Sequence, residues 1–115
     1  MPKTIDQEYA ESAYKAYTEL KNSGDKDKIF GYAKKLPMMI INSGLVAAIM
    51  FKYKEHNGFH KYFLGWLTGI EPENDKKRDE SIKKLLENAS SLRYYTSKAL
   101  RWLFWFNKFA DTEKK

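Results

Sequence analysis

Apolar residues recur at steps of three and four along most of the chain, which is the spacing of one face of an α-helix. The pattern predicts helices over about residues 4–22, 25–41, 44–54, 59–69, 79–88 and 90–110. Strict alternation over the length of a strand appears nowhere. We therefore expect an all-α fold, a single compact bundle of about five or six helices over residues 1–115, with a frayed tail at 110–115.

Polar residues, Gly and Pro mark the predicted helix ends. Thr4 to Gln7 has the spacing of a capping box, and Gly24 suits a left-handed cap after the first helix. Pro37 lies inside the second helix and predicts a kink there, or a short break. The Asn-Ser-Gly stop ending at Gly44 separates two apolar segments, so this stretch is predicted to be a buried helical hairpin.

The same periodicity assigns side chains to the core. The positions predicted to face inward include Ile40 and Ile41 in the second helix, Phe51 or Lys52 in the third, and Ile82, Leu85 and Leu86 in the fifth.

The longest apolar stretch, from Leu36 to Phe51, is shorter than the roughly 20 residues of a membrane-spanning helix, and it is interrupted. The N-terminal segment is polar and lacks the apolar centre of a secretory signal. Cys is absent, which excludes disulfides and thiolate metal sites. We expect a cytoplasmic protein without a membrane contact.

No grouping of residues points to catalysis. His56 and His60 are four residues apart, but Asn57-Gly58 is expected to break a helix between them, so both are interpreted as loop histidines and not as metal ligands. The acidic residues from Glu71 to Glu80 lie with Lys76, Lys77 and Arg78 in a solvated loop of mixed charge. We predict no enzyme, no metal, no cofactor and no small-molecule substrate.

The last predicted helix carries too many aromatic side chains for one buried stripe. Phe104, Trp105 and Phe106 point about 100° apart, so they cannot all face one core. Either the helix is surrounded by its own domain, or an edge with Phe104 or Trp105 docks a partner chain or stacks on a base. Because a small domain cannot easily enclose such a helix, a protein contact is favoured.

The formal net charge of +6 suggests a polyanionic partner. Lys and Arg recur beside the predicted helices, and a closed hairpin would bring Lys34 and Lys35 near Lys52 and Lys54. Arg93, Arg101 and Lys108 follow each other at eight and seven residues on the last helix. These cations are either phosphate contacts or a solvated rim of the core, and charge pattern alone does not separate the two.

Three motifs resemble one known family in the same order along the chain. They are Gln7, Ala10, Ala13 and Tyr14; the stretch Lys35-Leu36-Pro37 with Ile40 or Ile41, then Asn42, Gly44, Leu45, Ala48 and Phe51; and Ala99-Leu100-Arg101-Trp102-Leu103 with Phe109-Ala110. Together they resemble the small helical subunit of type III-B CRISPR effector complexes, the Cmr complex. The resemblance covers most of the chain.

The resemblance implies an all-α subunit without catalytic activity. It would stack with copies of itself and with backbone subunits, and line the groove where guide RNA pairs with target RNA in antiviral defence. From the charge pattern we predict phosphate contacts at Lys34, Lys35, Lys52, Lys54, Arg93 and Arg101, and from the aromatic edge of the last helix a protein interface at Phe104 and Trp105. The alternative is a helical protein–protein adaptor without direct RNA contact.

Overall fold

The computed structural model describes residues 5–112, and side chains from residue 6 onward. Within this range the chain forms six helices and no strand: α1 Ile5–Leu20, α2 Lys26–Ser43, α3 Leu45–Phe51, α4 Asn57–Thr68, α5 Asp75–Leu85 and α6 Ala89–Asp111. The predicted all-α bundle is confirmed.

The long C-terminal helix α6 is the centre of the bundle, because it packs against each of the other five helices. Its buried residues, Ala99, Trp102, Leu103, Phe106 and Ala110, repeat at steps of three and four. Such a stripe places side chains on one face of a helix, where they can all reach the core.

Trp102 is fully buried at the middle of this stripe. Its ring centroid lies 5.8 Å from Phe59, 5.2 Å from Phe63 and 5.3 Å from Phe106. Its indole nitrogen Nε1 donates to Ser12 Oγ at 3.1 Å. Trp102 thus joins α6 to α4 by ring contacts and to α1 by a hydrogen bond.

The predicted hairpin forms between α2 and α3, which pack against each other. Gly44 joins them with φ 91° and ψ 159°, a conformation that is available almost only to glycine. Its N–H donates to the carbonyl of Ile40 at 2.8 Å and so satisfies the end of α2. This one residue reverses the chain direction between two apolar helices.

Several predicted boundary features come out differently. Pro37 lies inside an unbroken α2, so the short break is not found, while a bend at Pro37 stays a prediction. Gly24 does not have a positive φ; among the described glycines only Gly44 and Gly69 do. Helix α5 begins at Asp75 and not near Asp79, because the side chain of Asn74 caps it by accepting from the N–H of Lys77 at 2.8 Å.

Two predicted features at the chain ends fall partly outside the described residues. Thr4, the first residue of the predicted capping box, lies outside the described residues. Helix α6 includes Ala110 and Asp111, and the predicted tail from residue 113 onward also lies outside them.

Three residues predicted to face the core are exposed instead. Ile41, Phe51 and Leu86 have 65%, 70% and 56% of their surface accessible. Ile41 and Leu86 each directly follow a buried residue, and Phe51 lies two positions after buried Ile49. The step of 100° per residue along a helix therefore rotates all three away from the core. The periodicity of the sequence predicted the correct helices, but it assigned too many positions of these helices to the buried face.

His60 is a core residue, so its interpretation as a loop histidine is wrong. Helix α4 already begins at Asn57, which places His60 in its first turn with no exposed surface. Its Nε2 lies 2.7 Å from the hydroxyl of Tyr32, and its ring stacks on Tyr53 with centroids 5.1 Å apart. Its other ring nitrogen, Nδ1, is buried without a hydrogen-bond partner in the described part of the chain. Burial, followed by the nearby charge of His56, lowers the pKa of His60 to about 3.

Alanine substitutions at Gly44 and Gly31 should have opposite effects on the free energy of unfolding. Gly44→Ala should lower the free energy of unfolding by about 1–3 kcal/mol, because alanine is strained at this φ and ψ. Gly31→Ala is the matched control: a Cβ there meets nothing within 4 Å inside α2, so it should raise stability by about 0.5–1 kcal/mol. Urea unfolding of both variants measures the difference, and two changes of the same sign would contradict it.

Buried His60 predicts that stability falls with acid. The unfolded chain binds a proton at His60 below about pH 6.5, whereas the folded chain binds it only near the lowered pKa of about 3. The contribution of His60 is therefore complete above pH 6.5 and is lost as the pH falls towards 3, by about 1.4 kcal/mol per pH unit. Urea unfolding at several pH values measures the slope.

A variant without the imidazole isolates this contribution. Tyr32→Phe/His60→Phe removes both partners of the buried hydrogen bond, so neither is left unsatisfied. Its stability should depend less steeply on pH between 6.5 and 4 than that of the unchanged chain. An equal slope in the two proteins would assign the acid sensitivity to other groups.

Candidate nucleic-acid interface

The predicted phosphate-binding residues lie in more than one place. Lys34 and Lys35 are exposed on α2, Lys52 directly follows α3, and Lys54 lies in the turn after it. Arg93 and Arg101 are exposed on α6. Because the α2–α3 hairpin closes, Lys35 and Lys52 line one groove although 16 residues separate them in sequence.

We call this depression the α2–α3 groove. It has a volume of about 490 Å³, which lies within the range of small-ligand clefts. Helix α2 contributes Lys28, Lys35 and Met39, and the other side contributes Phe51, Lys52 and His56. Lys28 and Lys35 are two helical turns apart, so both point to the same side of α2. Lys28 is missing from the predicted set, although its seven-residue spacing from Lys35 is visible in the sequence.

The charges of the groove are only partly neutralised. Lys28 and Lys35 form no ion pair within the described residues, whereas Lys52 pairs with Glu55 at 3.4 Å. Both partners of that pair are substantially exposed, and such pairs are worth about 0–1 kcal/mol. Asp27 and Glu55 are the acidic residues on the lining. An incoming phosphate would therefore find three cations against two carboxylates, with the Lys52–Glu55 pair easily exchanged.

A rigid aromatic stack forms part of the groove wall. The rings of Tyr32 and His56 are nearly parallel, 17° apart in plane and 4.2 Å apart in centroid. The hydroxyl of Tyr32 is in turn fixed by buried His60 at 2.7 Å. Burial lowers the pKa of His56, so its imidazole is neutral at pH 7 and adds ring surface without charge.

The other two predicted lysines lie outside this groove. Lys34 borders a smaller depression of about 290 Å³ between α2 and the end of α6, together with Asn107 and Asp111. Lys54 borders a depression of about 230 Å³ with Arg78. The structure brings together one lysine from each of the two expected pairs.

Arg93 lies far along α6 from the point where this helix crosses α2. Asn107 donates to the carbonyl of Ala33 at 3.0 Å, which fixes where α6 crosses α2. Arg93 precedes Asn107 by 14 residues, and therefore lies about 21 Å away along the axis. Arg93 forms no ion pair among the described side chains.

Arg101 already has a protein partner. Its Nε and guanidinium nitrogen donate to the two carboxylate oxygens of Asp6 at 2.7 and 2.8 Å. This hydrogen bonding lowers the pKa of Asp6. Arg101 thus ties α6 to the start of α1, and a phosphate would have to compete with a bidentate carboxylate.

Phe104 and Trp105 differ in exposure. Trp105 is half-buried against the core, while Phe104 is 43% exposed. Arg101 and Lys108 place their cationic groups 4.9 and 5.3 Å from the centroid of the Phe104 ring. Phe104 is therefore an exposed ring that already makes two cation–π contacts.

No group of three His, Cys, Asp or Glu side chains that could hold a metal ion occurs within residues 5–112. The helices described there include none that is long and apolar enough to cross a membrane.

Comparison with known proteins identifies the family. The family model for "CRISPR-associated protein (Cas_Cmr5)" matches residues 5–113, nearly the whole chain. Neither the curated proteins nor the solved structures that were searched gave a match. The resemblance found from the sequence motifs is confirmed: the chain belongs to the Cas_Cmr5 family and is a small subunit of the type III-B CRISPR complex.

Proposed function

We propose that this chain is a non-catalytic structural subunit that lines the guide RNA–target RNA groove of the type III-B complex. In this proposal it acts in the cytoplasm, stacks with copies of itself and contacts the backbone subunits. Family membership supports its place in the complex. The observation that carries the RNA contact is the α2–α3 groove, where Lys28, Lys35 and Lys52 meet on one surface.

The chemistry of these cations suits a groove-lining role. Lysine is a flexible point charge that attracts phosphate without selecting a base. Base pairing with the guide would supply the sequence specificity, as in other RNA-guided complexes, so the protein has only to neutralise the backbone. A rigid helical bundle can repeat along such a duplex through head-to-tail contacts.

The predicted cations contribute unequally in this proposal. Lys35 and Lys52 form its centre, and Lys34 extends the surface along α2. Lys54 and Arg93 would contact phosphate elsewhere on the RNA. Arg101 is the weakest of the six, because Asp6 already occupies its guanidinium.

The alternative is a protein–protein adaptor that does not touch RNA. It is favoured by the exposed apolar side chains, chiefly Phe104 on α6 and Met38 and Ile41 on α2. Subunit stacking also requires such surfaces, so they support both functions. Only the basic groove distinguishes the two.

Charge reversal in the groove tests the RNA contact. In the assembled complex, Lys35→Glu/Lys52→Glu should weaken target-RNA binding at least ten-fold at low salt. It should also reduce the slope of log affinity against log salt by about 0.7–0.9 for each phosphate that the variant no longer neutralises. Filter binding at four or more salt concentrations measures both.

The matched control makes the same change in charge away from the groove. Lys15→Glu/Lys76→Glu alters two exposed lysines on α1 and α5 and should leave the salt slope close to that of the unchanged complex. Equal slopes for the two double variants would favour the adaptor.

Phe104 tests the subunit contact. Phe104→Ser should weaken assembly with the other subunits or with copies of the chain by about five-fold or more, because exposed aromatic anchors contribute strongly to interfaces. Leu86→Ser is the control, an exposed apolar residue on another part of the surface. Co-sedimentation at graded concentrations compares them, and unchanged assembly by the Phe104 variant would remove this residue from the interface.

A further inference from the structure

We propose that the α2–α3 groove holds one unpaired RNA nucleotide, with its base stacked on Phe51 and its phosphate between Lys35 and Lys52. This inference rests on the proposed function and deepens it, because it assigns a ligand class to the groove beyond general phosphate neutralisation. It concerns a nucleotide whose base face is free, and not a base pair within the duplex.

Phe51 provides the stacking surface. It is the last residue of α3 and is 70% exposed. Its ring makes no aromatic or cation–π contact with the residues that the structure describes. The exposed ring of Phe104 differs, since two cations already lie against it. Of these two phenyl rings, Phe51 is the one available to a base.

Three lysines line the groove together with the ring of Phe51. Lys52 follows Phe51 directly, and Lys28 and Lys35 face it from α2 across the groove. A nucleotide carries its phosphate on the ribose next to its base, so a ring and cations on one small surface match the two parts of the ligand. Base–aromatic stacking beside a positive groove is the usual way in which proteins hold single-stranded nucleic acid.

The part of the groove wall formed by His56 and Tyr32 is preorganised. His56 lines the groove and stacks on Tyr32, whose hydroxyl is held by fully buried His60. Binding would therefore require little reordering of this wall, and ordering is a main cost of association. The volume of about 490 Å³ suits a nucleotide and is too small for a duplex.

The site predicts a preference that phosphate contacts alone do not give. Lysines attract paired and unpaired RNA alike, whereas the ring of Phe51 can stack only on a base whose face is exposed. The full-length chain should therefore bind single-stranded RNA more tightly than a duplex with the same number of phosphates.

The experiment uses the full-length chain and a hexa-adenylate RNA that carries one 2-aminopurine, a base whose fluorescence changes on stacking. The unchanged chain should quench this fluorescence on binding. Phe51→Ala should lower the affinity about 5- to 150-fold and abolish the quenching, while Phe51→Tyr, which keeps a ring, should retain both. Tyr14→Ala is the matched control, an exposed aromatic residue outside the groove, and should bind RNA as the unchanged chain does.

Several results would overturn the proposal. They are the absence of quenching by the unchanged chain up to millimolar concentration, an unaltered Phe51→Ala variant, or equal losses in the Phe51 and Tyr14 variants. Loss of subunit assembly in Phe51→Ala with RNA quenching intact would assign the groove to a protein partner instead, and also overturns it.

The proposed function and the nucleotide site can be tested independently of each other. If Lys35→Glu/Lys52→Glu flattens the salt dependence of the assembled complex while Phe51→Ala is silent, the phosphate contact stands and the nucleotide site falls. If neither variant has an effect, both fall.

Discussion

The packing of α6 around Trp102 is the constraint on which the rest of the structure depends. All five other helices contact α6, and Trp102 meets Phe59, Phe63 and Phe106 while donating to Ser12. Because the other helices surround α6, only one stripe of its side chains is exposed to solvent. On α6 that stripe contains Tyr94, Ser97, Arg101, Phe104 and Lys108. On α6, the surface available to partners is therefore the side that faces away from the core.

A second constraint shapes the α2–α3 groove. Gly44 turns the chain between two apolar helices, and this reversal brings Lys52 and Phe51 opposite Lys28 and Lys35. The core supports the groove from below, since buried His60 holds Tyr32 and Tyr32 stacks on His56. Core packing and the candidate RNA surface thus share the same residues. His60 is therefore both a buried neutral residue of the core and the partner that holds the Tyr32–His56 wall of the groove.

These constraints give a small bundle two different surfaces. The α2–α3 groove combines three lysines, of which only Lys52 forms an ion pair among the described residues, with the exposed ring of Phe51, which suits RNA. The α6 stripe combines an exposed ring with cations that already contact protein, Arg101 through Asp6 and both Arg101 and Lys108 through Phe104. Such a stripe suits a protein contact. The proposed role, lining a nucleic-acid groove within a larger assembly, would use both kinds of surface.

The sequence by itself determined the helical class, the order of the helices, the hairpin and the family, because each follows from local periodicity or from motifs that are contiguous in the chain. It also identified Lys35 and Lys52 as candidates. Only the tertiary structure decided that His60 is buried, that Phe51 is exposed, that Lys28 joins the groove and that Asp6 holds Arg101. Periodicity defines a face of a helix but not its width, and it carries no information on which distant side chain completes a contact. Those outcomes depend on how six helices share one core, and that arrangement exists only after they pack.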